Sequence, residues 1–143
     1  IIVIVFVVWL LSSVGVNFMI GNFTKSSVGT DAEKDVRDEA GLTRVGSYLL
    51  FMHRWEKAAY VLDQAIQRYG DAGKNYYLNE YRLSTCYDRM RRYQESYDII
   101  MYLWEVNADE NFDSRLPGND KLLLKANKLL EMHGLIAHPS VRR

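Results

Sequence analysis

Tyr81, Thr85, Arg89 and Arg92 recur at intervals of four, four and three residues, which sets them on one face of a helix. Arg82 flanks that face, and Arg54 stands 38 residues before Arg92. Tyrosine and arginine are the residue types that dominate binding hot spots. A guanidinium is also a planar fork that fits a carboxylate through two hydrogen bonds. The chemistry expected of Tyr81, Arg82, Arg89, Arg92 and Arg54 is therefore recognition of an acidic or carboxylate-ended protein segment. The plainer reading of the same residues is a solvated basic face.

No pattern for bond-making chemistry accompanies them. The chain has no glycine-rich phosphate loop, no HExxH and no cysteine pair. Cys86 is the sole cysteine, so no internal disulfide forms, and its apolar helical setting predicts a buried, inert thiol. His133 and His138 are five apart beside Pro139 with no third ligand, a poor zinc pair. Asp109, Glu110 and Asp113 crowd one stretch but lack the glycine and distal Glu of a calcium loop. With 18 basic and 18 acidic residues, bulk charge offers nothing to nucleic acid. The expectation is a noncatalytic protein without cofactor, metal, nucleic acid or small-molecule substrate.

The elements that position these arginines are helical. Residues 31–110 contain no proline, and the hydrophobic spacing repeats. Overlaying the chain on itself with a 38-residue shift sets Val45 on Leu83, Gly46 on Ser84, Arg54 on Arg92 and Trp55 on Tyr93. Further along, Ala58 falls on Ser96 and Leu62 on Ile100. Small matches small and large matches large. Each unit reads as a helical hairpin, 40–53 with 55–69 and then 75–90 with 93–107. Gly46 and Ala58, and Ser84 and Ser96, let the paired helices approach closely, while Trp55 and Tyr93 plug the junctions.

Ser84 and Tyr87, then Tyr93, Ser96, Ile100 and Leu103, form a pattern that resembles the tetratricopeptide repeat, over residues 40–134. The chain departs from the family at Leu49, where an aromatic is usual, and at His53 and Arg91, where a turn glycine is usual. The family period is about 34 residues, so about four extra residues fall at 70–74. The resemblance implies a protein-binding module whose first helices line the concave face, here Ser47, Leu50, Phe51, Arg54, Tyr81, Thr85, Arg89 and Arg92. Thr43 and Ser47 stand where chaperone-binding members carry a Lys and Asn clamp, so a co-chaperone is not implied.

A third apolar helix is predicted at 119–132, started by Asn119 or Asp120 and ended by Gly134, as the cap of the array. Residues 108–118 read as a longer connector, solvated or facing a partner, and 135–143 as a tail. Asp31 is a candidate helix cap behind a linker and lead-in over 24–39.

Residues 1–23 are set apart by apolarity, with no charge before Lys25. As one helix they would reach about 35 Å, enough for a hydrocarbon layer of about 30 Å. A membrane span is expected; a secretory signal and a buried core helix are the other readings. Ser13, Asn17 and Gly21 share one face, which predicts contact with a second membrane helix, or else an approach to the headgroups.

The fold expected is all-α: a transmembrane helix, then two hairpins and a capping helix. The function expected is a membrane-anchored scaffold or accessory subunit mediating protein–protein contacts in a larger membrane complex. The alternative is a tethered adaptor for acidic or carboxylate-ended segments. A single-pass anchor followed by a folded domain predicts that domain outside the cytoplasm.

Overall fold

The computed structural model describes residues 1–141, and these contain helices and no strand. The apolar start does not form one helix. Helix α1 (Ile2–Leu11) and helix α2 (Ser13–Thr24) are bent by 71° at Ser12. Ser12 is extended, its Oγ accepts from the Gly15 amide at 3.2 Å, and it donates to the Trp9 carbonyl at 2.5 Å. A side chain at Gly15 would run into the Trp9 carbonyl and the Leu10 backbone, so glycine permits the tight corner. No single helix among the described residues is long and apolar enough to cross a membrane; the bent pair has the length and composition only when taken together.

The two halves meet different surroundings. No residue of α1 is buried. Helix α2 instead lies on helix α3 (Ala32–Phe51), with Val16 and Ile20 in one core with Leu42, Val45 and Leu49. The Phe23 ring occupies the space a side chain at Gly41 would need. One face of α2, with Gly15, Val16 and Ile20, thus serves a protein core, while Val14 and Phe18 on the other stay exposed. Helix α3 also starts inside the expected linker, because Asp31 Oδ1 accepts the Glu33 and Lys34 amides at 3.1 and 3.2 Å.

Beyond α3 the helices stack in sequence order. Helix α4 (Trp55–Tyr69) packs on α3, α5 (Tyr76–Arg89) on α4, α6 (Tyr93–Glu105) on α5 and α8 (Asn119–His133) on α6. A side chain at Gly46 would meet Leu62 at 2.5 Å, so α3 and α4 approach closely there. Ser84 and Ser96 are both fully buried in the next hairpin.

The 38-residue repeat is written into the backbone of the turns. His53 and Arg91 have φ of 58° and 61°. The Arg54 amide reaches the Leu49 carbonyl at 2.9 Å, and the Arg92 amide reaches Tyr87 at 2.8 Å. These are the backbone bonds of a helix closed by a left-handed residue, a role glycine usually takes.

Trp55 and Tyr93 are half-buried rather than plugs. Tyr93 stacks on His133 at the end of α8 (3.5 Å), and Trp55 has Arg89 at the end of α5 over its ring (5.6 Å). Each therefore meets the last turn of a later helix, α5 for Trp55 and α8 for Tyr93. Gly134, left-handed, closes α8.

The connector is neither loose nor free. It contains the short helix α7 (Ala108–Asn111), buries Ala108, Asp113 and Leu116, and stacks Phe112 on Tyr77 at 4.4 Å. The tail folds back on α6, where the Tyr97 hydroxyl accepts the His138 amide at 2.9 Å.

Candidate partner-binding groove

Helices α3 and α5 leave a groove of about 440 Å³ between them. Its α3 wall carries Val36, Ala40, Thr43, Arg44 and Ser47. Leu78 and Arg82 come from α5, and Lys74, Asn75 and Arg115 close one end. The floor is apolar or small and the rim is cationic.

Two nearby carboxylates are already occupied. Glu39 is buried, and its Oε1 accepts the Asn75 amide at 2.7 Å. Asp113 is buried and grips Arg115, taking Nη2 on Oδ2 at 2.7 Å and Nε on Oδ1 at 2.8 Å. Arg115 Nη2 also donates to Asn75 Oδ1 at 3.0 Å, which ties the connector to the start of α5. The Arg115 hydrogen bond holds the Asp113 carboxyl below the usual aspartate range despite its burial. Arg44, Lys74 and Arg82 form no ion pair among the described residues. Burial, and then repulsion from Arg115, pull Arg82 below its ordinary pKa. Such a guanidinium gains from an incoming carboxylate more than a fully solvated one does.

The five arginines and tyrosines expected to form one recognition face lie in three places. Arg82 lines the groove. Tyr81 joins the second core, packed toward α8, with Lys125 Nζ 5.1 Å over its ring. Arg54, Arg89 and Arg92 sit where the hairpins turn. Arg54 Nη1 donates to the Leu11 carbonyl at 2.8 Å and Nη2 to Ser13 Oγ at 3.0 Å. Arg92 pairs with Glu95 at 2.9 Å and covers Tyr87 at 4.4 Å. The i, i+4, i+8, i+11 spacing holds through Arg89 but does not reach Arg92, because α5 ends at Arg89 and Arg91 turns the chain before Arg92.

The Ser13, Asn17 and Gly21 face points away from α3. Ser13 is taken by Arg54, Asn17 is exposed, and nothing lies within 4 Å of where a Gly21 side chain would begin.

Sequence reasoning missed Arg44, Lys74 and Arg115 as groove residues. One signal was present: Arg44 falls on Arg82 under the 38-residue shift. Arg115 reaches the groove from an irregular connector, which no periodicity reports.

Elsewhere, Cys86 is buried, and that burial pushes its thiol up to about 12. His133 lies on Tyr93, while His138 Nδ1 meets Ser140 Oγ at 2.8 Å. No group of three His, Cys, Asp or Glu among the described residues could hold a metal ion.

No family model matches this chain. No similar protein is found among the curated ones, and no solved structure matches it.

Proposed function

We propose that this protein is a noncatalytic, membrane-attached scaffold subunit, built as a helical-repeat array of the tetratricopeptide kind. The observation that carries the reading is α1: ten residues, apolar on every side and none buried, whereas the other exposed hydrophobics of the chain are scattered singly or in pairs. A helix apolar all round belongs in an apolar medium. At about 15 Å it reaches half of a hydrocarbon layer. The test is fractionation of the full chain: it should sediment with membranes and resist an alkaline carbonate wash. Release by that wash would overturn the anchor.

The second reading, an adaptor for acidic or carboxylate-ended segments, is favoured by the unpaired cations of the α3–α5 groove. Replacing Arg44 and Arg82 by Glu should abolish capture of an acidic partner segment and leave helix content unchanged. Unchanged capture would move recognition to another surface. The array standing outside the cytoplasm belongs to the anchored reading and is checked by protease protection.

A further inference from the structure

We propose that the hairpin-turn end of the array is a docking surface for anionic lipid headgroups of the leaflet that α1 enters. The proposal rests on the membrane reading of α1 and says what the folded array does once that helix is inserted.

The argument begins with position. α1 ends at Leu11, and its last carbonyl is held by Arg54, the residue that closes the α3–α4 turn. The foot of the apolar helix and this turn are therefore one place on the molecule. Successive turns of a stacked array fall on the same end, so Arg91 and Arg92 of the α5–α6 turn stand beside it. Arg89 bridges the two turns through the ring of Trp55.

Composition follows. A hollow of about 750 Å³ opens here, with Trp55 and Tyr60 among its walls and Arg54, Lys57 and Arg89 around them. Phe51 and Tyr60 are exposed at the same end. Cations beside half-exposed aromatics are the chemistry of a membrane–water boundary: the rings sit at headgroup depth and the cations meet phosphates. The acids at this end include Glu56, Asp63, Asp88, Glu95 and Glu131, and Glu95 is already held by Arg92. The opposite end carries Glu33, Asp35, Asp109 and Glu110 at the starts of α3 and α7 beside cations of its own, Lys34, Lys74 and Arg115. Insertion of α1 beside Arg54 is what turns the hairpin end, rather than that one, toward the bilayer.

The occupant argued for is a lipid surface rather than a protein because the patch is continuous with α1. Whatever receives α1 must present its own boundary directly to Arg54.

The test uses the full chain and flotation with vesicles of two compositions, phosphatidylcholine alone and phosphatidylcholine mixed with phosphatidylserine. The native protein should bind both, and the mixed vesicles more tightly. The double variant Arg89→Gln/Arg91→Asn should keep its binding to neutral vesicles. Asn suits the left-handed backbone of position 91. At about fivefold per surface cation, the variant should lose about 25-fold of its binding to the mixed vesicles at low salt. Lys25→Gln/Lys121→Gln removes as many charges at the far end and should keep the anionic preference. Equal native binding to both vesicles, or a preference retained by the turn-end variant, overturns the docking surface and leaves the anchor standing. A loss as large in the far-end variant overturns the assignment to this end. Failure to bind neutral vesicles at all overturns the anchor, and the docking surface with it.

Discussion

Helices α1 and α2 are nearly equal in length, adjacent in the chain and both free of charge, yet one buries no residue and the other completes a core. Val8 and Val16 make the contrast at a single residue type: Val8 is 59% exposed and Val16 is 0% exposed. The difference lies in what faces them. α2 meets a surface on α3 shaped to receive it, with Gly41 cut away under Phe23 and Leu42 and Val45 opposite Val16 and Ile20. α1 meets nothing. Hydropathy measures what a segment avoids and says nothing of which apolar partner it finds.

Cutting the chain between the two helices tests that contrast most severely. A chain beginning at Ser12 should remain folded and lose its association with membranes. One beginning at Ser26 should be destabilised by several kcal/mol, at ~1.5–3 kcal/mol for each of the buried Val16 and Ile20 side chains. Chemical denaturation of both, with membrane flotation, reads the difference. Equal stability would show that α2 is as dispensable to the array as α1. Removing everything before residue 31 is thus expected to uncover Leu42 and Val45 rather than to yield an intact domain.

Single substitutions sharpen the same point. Val16→Ala should cost about 1.5–3 kcal/mol, the lost transfer of its methyl groups plus the cavity they leave. Val8→Ala should fall within about 0.5 kcal/mol, as other exposed positions do. Thermal melts of the pair in the same buffer decide it, and a Val8 cost as large as that of Val16 would mean α1 is packed on the protein.

A smaller effect separates the far end from both helices. The folded-state pKa of Asp113 is depressed, so its contribution to stability is present above the ordinary aspartate value and fades as pH falls through the folded value. Asp113→Asn should therefore lower the melting temperature at neutral pH, and the gap from the native chain should close in acid. A gap that does not narrow on going from neutral pH into acid would assign the effect to packing rather than to the Arg115 pair.

The smallest readout is chemical. With its thiol buried and pushed up to about 12, Cys86 should resist alkylation in the native chain and react only as the array opens. Native-state labelling at the rate of a free thiol would contradict the core described for α5.

Much of the array was legible because its signals are local and periodic. The 38-residue shift carries over to matched turns at His53 and Arg91 and to matched small residues at Gly46 and Ser84. Gly134 closes α8 as its position suggested. The candidate groove residues were less legible. Tyr81 and Arg89 stand eight residues apart in α5, the first packed toward α8 and the second over Trp55, and the end of α5 at Arg89 sets Arg92 apart from both. Arg44 was marked by its repeat relation to Arg82, whereas Lys74 and Arg115 enter the groove from irregular segments. The break at Ser12 was hidden because an uncharged serine inside an apolar run interrupts neither hydropathy nor charge pattern. Its effect depends on Gly15 and on the α3 surface, the latter more than twenty residues away.

The left-handed residues at His53 and Arg91 have a consequence for how this chain can change. A side chain with a β-carbon in that conformation costs roughly 1–2 kcal/mol, and glycine would relieve it. The two positions are therefore where heat-resistant variants should be most easily found, through His53→Gly and Arg91→Gly. Each gain would remove a basic or titratable group from the end where α1 joins the array. Stability and the surface chemistry proposed for this end therefore place opposite demands on the same two positions.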